Sequence, residues 1–197
     1  MVKKDPDAIG NLIQKLNLDV LCLQETKLQE SHLDDPKVAL PTVEGYEAFY
    51  SCSAAKKGYS GTAAFIRKRG KSKQKGKQTT MDAFVKSSSK TKDKEAAEGD
   101  LPVNVKYLVP DEVSLKMGVD KHDQEGRIIV MDFPLFTAVN VYVPNSGQKL
   151  ERLAYRTTEW DKDLLGFMQA KQKNRGVPVL WLGDLNVAHT NLEVWNE

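Results

Sequence analysis

Two cysteines, Cys22 and Cys52, and an aromatic content of 8% are all that this 197-residue chain has of the residues that staple or anchor small folds. Two thiols cannot build a disulfide framework, and Cys22 lies inside an apolar run where a small buried thiol is expected. Long apolar runs are missing as well: no stretch approaches the ~18 consecutive apolar residues of a membrane span. The opening Met1-Val2-Lys3-Lys4-Asp5-Pro6 has no apolar stretch behind its lysines. These absences predict a chain that is neither membrane-anchored nor secreted and that works in a reducing compartment. With 40% hydrophobic and 28% charged residues, there is enough material for one globular core.

A strong net charge is also lacking, yet the formal +2 hides a division. From Arg67 to Lys94 the chain has eleven Lys or Arg against Asp82 and Asp93, a local balance of +9. The remainder, with 18 basic and 25 acidic residues, carries −7. A basic insert thus interrupts an acidic body, and each needs its own explanation. Between Arg67 and Asp100 the composition is Lys, Ser, Gln, Thr and Gly with almost nothing apolar. Such a segment cannot bury enough surface to offset the entropy of ordering, which predicts disorder. The expected organisation is therefore a body in two pieces, 1–66 and 101–197, interrupted by 67–100.

Within the body, Ala8, Ile9, Leu12, Ile13 and Leu16 have helical spacing, with Asp5 or Asp7 available as N-cap. Leu18 to Leu23 is a nearly continuous apolar run, expected to be a strand buried on both faces, and it ends abruptly in Gln24-Glu25-Thr26-Lys27. Further strands are predicted over Tyr46 to Ser51, Thr62 to Ile66, Val103 to Val109, Arg127 to Phe133, Thr137 to Val143 and Val177 to Leu182. A longer helix is predicted from Leu150 to Met168. The last strand also ends in a polar cluster, Gly183-Asp184-Leu185-Asn186.

Two apolar strands that each deliver a carboxylate at the C-terminal end can bring hard oxygen ligands to one sheet edge, which is the donor chemistry Mg²⁺ prefers. Taken singly, Glu25 and Asp184 read equally well as solvated strand-end residues, and Tyr142 as an aromatic packed on the core. As a set the residues say more. Leu23-Gln24-Glu25-Thr26-Lys27, Gly58-Tyr59-Ser60-Gly61, His122-Asp123-Gln124-Glu125-Gly126-Arg127, Tyr142-Val143-Pro144-Asn145 and Gly183-Asp184-Leu185-Asn186-Val187-Ala188-His189 occur in the order used by the exonuclease III family. Outside the insert the chain resembles the apurinic/apyrimidinic (AP) endonucleases of that family, eukaryotic nuclear type. The wider grouping is the endonuclease/exonuclease/phosphatase superfamily.

That resemblance implies an α/β (α+β) fold, a four-layer sandwich of two mixed β-sheets flanked by helices, present here in part. It implies Mg²⁺, with Mn²⁺ as a substitute, held by Glu25, Asp184 and Asn186. Catalytic roles fall to Tyr142, Asp184 and Asn186: Asp184 orients or deprotonates the attacking water, and Asn186 donates a hydrogen bond to the phosphate oxygens. Asn145, Tyr59, Lys57 and Arg127 would contact DNA, with a solvated Lys56-Lys57 pair and a structural Arg127 as the alternatives. The implied activity is cleavage of the phosphodiester 5′ to an abasic site in double-stranded DNA, with 3′-5′ exonuclease or 3′-phosphodiesterase side activity, by a monomer in the nucleus. A superfamily phosphatase is disfavoured by the His-Asp-Gln-Glu-Gly-Arg string.

The sequence departs from the family at both ends. The family's first strand, with its asparagine, and the closing Ser-Asp-His segment, with its catalytic histidine, have no counterpart. Neither His32, His122 nor His189 follows the closing motif. The expectation is a fragment, poorly stable and nearly inactive, or a silent DNA-binding protein. Inside the insert, Gln78, Met81, Phe84 and Val85 resemble the sliding-clamp (PCNA) interaction box, with Val85 in place of the usual second aromatic. Gln, Met and Phe spaced by three fall on one side of a 3₁₀ turn.

Overall fold

The computed structural model describes residues 7–68 and 105–190. The first piece contributes helix α1 (Ala8–Leu16), strand β1 (Val20–Gln24), a single turn α2 (Glu30–Leu33), and strands β2 (Tyr46–Ser51) and β3 (Thr62–Arg67). The second opens with a 3₁₀ turn (Val105–Leu108) and strand β4 (Glu112–Ser114), then α3 (Asp120–Asp123), β5 (Ile128–Phe133) and β6 (Phe136–Tyr142). A short helix α4 (Leu153–Tyr155) runs through a π-helical turn (Arg156–Trp160) into α5 (Asp161–Arg175), and β7 (Val179–Asp184) follows.

The strands form two sheets, β1-β3-β2 and β4-β5-β6-β7. The first is antiparallel throughout. The second is mixed, because β7 runs parallel to β6. Strand alternation builds four layers from these elements. On β3, Ala63 and Phe65 join Ile13 of α1 and Val43 in a cluster on the outer face of the first sheet. Ala64 and Ile66 point the other way and meet Ile129, Met131, Phe133 and Ala138 of the second sheet. Ile128, Val130, Val139 and Val141 then pack against Trp160 and Leu164 on the helical side. Helix, sheet, sheet and helix are thus stacked as expected.

A polar pin crosses between the sheets. Asn140 of β6 is wholly buried; its Oδ1 accepts from Gln24 Nε2 at 2.6 Å, and its Nδ2 donates to the carbonyls of Leu23 and Ala63 at 3.4 and 3.3 Å. At the other end of the mixed sheet, buried Asp132 accepts from Lys171 Nζ at 2.6 Å, Thr137 Oγ1 at 2.7 Å and Arg175 at 3.3 Å. That network fastens α5 to the β5–β6 turn.

Several expectations need correction. Val105–Leu108 is a 3₁₀ turn where a strand over Val103 to Val109 was predicted, and the strand comes later, at Glu112–Ser114. The intervening Pro110 explains this, since a proline disfavours continuing a ladder. The long helix starts three residues late and continues to Arg175, where Gly176 closes it in the left-handed conformation. Asp7 sits at the N-cap of α1 but makes no side-chain cap bond. The body extends one residue past 66: Arg67 pairs with Tyr46 and donates to Asn17 Oδ1 and the Leu18 carbonyl. Residues 78–85, with the clamp-like box, lie outside the described residues.

Candidate active site

Three strands end at the same place. β6 and β7 are parallel and in register with Tyr142 opposite Asp184, and the Gln24–Asn140 bond lays the end of β1 across them. The residues just beyond these ends are therefore forced together. Tyr142 Oη donates to Glu25 Oε1 at 2.7 Å, and Lys27 Nζ stands 3.2 Å from Glu25 Oε2. The tyrosine bond and then the lysine hold the exposed Glu25 carboxyl below the usual carboxylate range. Burial, the Glu25 hydrogen bond and nearby Asp184 push the Tyr142 phenol up to about 12. Tyr142 is thus a neutral donor and Glu25 a fixed anion.

Local backbone geometry makes this possible. Glu25 and Lys27 both have left-handed φ, 54° and 56°, so the chain folds sharply as it leaves β1. The Gly58–Gly61 loop receives that turn: Thr26 N donates to the Gly61 carbonyl at 3.1 Å and Lys27 N to that of Ser60 at 2.8 Å. A side chain at Gly61 would collide with Thr26. At the end of β7, Gly183 has φ +125° and lies directly against the Val141 backbone, so only glycine fits.

Asn186 forms the other wall. Its backbone N–H donates to Asp184 Oδ1 at 2.9 Å, its Nδ2 to the Val143 carbonyl at 2.8 Å, and its Oδ1 accepts from Asn145 Nδ2 at 3.3 Å. Asp184, Asn186 and Asn145 are therefore one hydrogen-bonded set, and the β6–β7 register, with Tyr142 opposite Asp184, puts the Tyr142–Glu25 pair beside it. The remaining candidates divide. Lys57 is exposed beside the group's loop. Tyr59 turns inward, its hydroxyl accepting from Arg127 at 2.8 Å and Arg152 at 2.6 Å. Arg127 is 2% exposed. Its guanidinium donates to Glu125, the Tyr142 carbonyl and Tyr59, and lies 4.8 Å from the Tyr142 ring centre. Of its two readings the structure supports the structural one, because the side chain is buried and each of its three nitrogens already donates within the protein.

Sequence reasoning missed Lys27, Glu125, Arg152 and Arg156. Lys27 and Glu125 stand inside the strings quoted above, and Arg152 and Arg156 are four apart at the head of a helix, which puts them on one face. His122 is a packing residue: buried, it bonds Tyr155 Oη at 2.8 Å and Asp163 at 2.9 Å and lies edge-on to Trp160.

Two sheets stacked between helices, with acids, amides and a phenol gathered where strands end, define a hydrolase-type α/β sandwich. Residues 2–196 match the profile of the Endonuclease/Exonuclease/phosphatase family, and the chain belongs to that family. It is 32% identical to a DNA-(apurinic or apyrimidinic site) endonuclease of Dictyostelium discoideum, over 93% of this chain and 38% of that one. It is 33% identical to an exodeoxyribonuclease of Bacillus subtilis, over 93% and 53%. With the DNA repair nuclease APEX1 of Danio rerio it shares 31% identity over 93% and 45%. The AP endonuclease of Leishmania major has the same fold, with a TM-score of 0.70 at 22% identity, covering 100% of this chain and 54% of that structure. The chain spans about half the length, or less, of the relatives it matches.

The donor set fits a hard divalent cation. Glu25 is exposed and held ionised, and Asp184 is exposed on the adjoining strand end. Among the described residues no three His, Cys, Asp or Glu converge. The protein thus offers one or two carboxylates, as Mg²⁺ sites do when water and substrate complete the shell.

Proposed function

We propose that this chain carries the site of a DNA repair nuclease that hydrolyses the phosphodiester 5′ to an abasic site in double-stranded DNA, with 3′-5′ exonuclease or 3′-phosphodiesterase activity at the same place. The carrying observation is the Glu25–Tyr142 bond at 2.7 Å, at the strand ends that also present Asp184 and Asn186. Mg²⁺ is the proposed cation, with Mn²⁺ as substitute, held by Glu25 and Asp184; when bound, it stabilises negative charge on phosphate oxygen. Tyr142 holds Glu25 in place, Asp184 orients the attacking water, and the Asn186–Asn145 pair positions an amide donor against the phosphate. Asn186 has both ends of its amide engaged within the protein, so it serves as an orienting group ahead of a metal ligand. Lys57 supplies a backbone-phosphate contact, and Tyr59 braces its loop. A monomer working in the nucleus is part of the same proposal; the basic segment is what supports the nuclear part. The box at Gln78, Met81, Phe84 and Val85 is proposed to bind the PCNA clamp; loss of clamp binding in Phe84→Ala checks it.

The test is incision of an abasic-site duplex with Mg²⁺, comparing the parent with Glu25→Gln. Incision that falls about 100-fold or more in the variant supports the reading. A parent that binds the duplex without cutting it supports a second reading, a catalytically silent, clamp-tethered DNA-binding protein. The observation favouring that alternative is β7: Leu180 and Trp181 are 53% and 44% exposed, and a strand so lightly packed holds its terminal Asp184 less rigidly.

A further inference from the structure

Asp184 ends β7, which has one neighbouring strand among the described residues, and Asn186 just beyond it is in the left-handed region with φ 48°. Asparagine enters that region more readily than other non-glycine residues, and the Asn186 side chain ties the arm to the Val143 carbonyl. The carbonyls of the arm are met from the helical layer by Arg156, itself 8% exposed. Its NH1 donates to the Asn186 carbonyl at 2.6 Å and its NH2 to the Leu185 carbonyl at 2.8 Å. We propose that Arg156 is the positioning residue of the Asp184–Asn186 arm, a two-pronged clamp that fixes where Asn186 presents its amide. The proposal rests on the nuclease reading for its kinetic part only.

The helix is shaped to deliver this clamp. Arg156 opens the π-helical turn, and the N–H of Asp161 donates back to its carbonyl, five residues away. Such wide turns carry an extra residue relative to α-helical phase and recur where a side chain must be re-aimed. Here the turn keeps Trp160 and Leu164 in the core packed on the mixed sheet while Arg156 faces the arm. The exposed Thr157 and Thr158 hydroxyls donate back to the carbonyls of Leu153 and Ala154, four residues earlier, at 2.9 and 2.7 Å. A guanidinium is needed because two carbonyls must be met at once by a planar fork; a lysine meets one, and a glutamine amide is neutral and shorter.

The experiment compares Arg156→Gln and Arg156→Lys with the parent by amide hydrogen exchange and by single-turnover incision with Mg²⁺. The expected result is exchange of the Asn186 amide about tenfold faster in Arg156→Gln and less so in Arg156→Lys, the size expected for a lost charge-assisted bond. Amides of Val130 and Val139 should keep parental protection. Incision should lose roughly tenfold in kcat with KM within about threefold. Asn186 exchange within about twofold of the parent, in either variant whose Val130 and Val139 stay protected, overturns the proposal. So does loss of Val130 and Val139 protection in both variants, because Arg156 would then be holding the core and not the arm. A parent that does not incise removes the nuclease reading alone, since the exchange experiment is decided without it.

Discussion

β5 and β7 belong to one sheet and have similar apolar sequences, Ile-Ile-Val-Met-Asp-Phe and Val-Leu-Trp-Leu-Gly-Asp. Every residue of β5 is buried, whereas four of the six in β7 are exposed. β5 has a strand on each side, the other sheet on one face and the α4–α5 helices on the other. β7 has a neighbour on one side only among the described residues. β1 repeats the contrast in the other sheet: apolar Val-Leu-Cys-Leu, expected to be buried on both faces, is half-buried throughout, and it too has a neighbour on one side only among the described residues. Position in the sheet, not strand composition, decides burial here. The proposed chemistry sits on the poorly buried members: Glu25 follows β1 and Asp184 ends β7, while interior β6 supplies Tyr142 and, through Asn140, the brace.

This contrast can be pressed at several points. The largest effect is expected where the two regions touch: Gly183→Ala places a methyl against the Val141 backbone at a φ that L-residues avoid. It should cost more than about 4 kcal/mol or prevent folding, read by urea denaturation. Met131→Ala in β5 should cost about 3 kcal/mol by the same measurement, the usual toll for a fully buried methionine. Burial raises the Asp132 pKa, but hydrogen bonds from Lys171 and Thr137 and the nearby cations outweigh it and hold the carboxyl below its ordinary range. A depressed carboxylate contributes stability above its unfolded pKa of about 3.9 and loses it as pH falls through the folded value. Acid titration of stability should therefore show a loss below about pH 4 that Asp132→Asn reduces. The smallest effect belongs to the edge: Leu180→Ala should change stability by less than about 0.5 kcal/mol. A cost like that of Met131→Ala would mean that β7 is covered in solution and would end the comparison.

The strand and helix pattern was legible because alternation and helical spacing are local properties. Thr62–Arg67, Ile128–Phe133 and Phe136–Tyr142 fall within a residue of their expected limits. The short α2 and α3 turns were not legible, since four residues have too little periodicity to register. The π-helical turn was hidden for the same reason, as one extra residue shifts the phase only locally. Of the candidate site, Glu25, Tyr142, Asp184, Asn186 and Asn145 could be named from their strings and are found in two hydrogen-bonded sets on adjoining strand ends. The inward turn of Tyr59 and the burial of Arg127 could not, because both depend on Tyr59, the Glu125–Arg127 loop and Arg152 meeting from three separate segments. Such long-range ion pairing leaves no spacing signal.

β3 has its first residue, Thr62, beside the Glu25 turn and its last, Arg67, beside Asp19 at the start of β1. Lys68 and Val109 then line one cleft of about 330 Å³ at that far end. Six residues of strand separate the two ends by roughly 20 Å. The segment between 68 and 105 therefore joins the body at the pole opposite the carboxylates. Natural variation can lengthen, shorten or rewrite that segment while the geometry around Glu25 stays as it is, and the two parts of the polypeptide are free to evolve at different speeds.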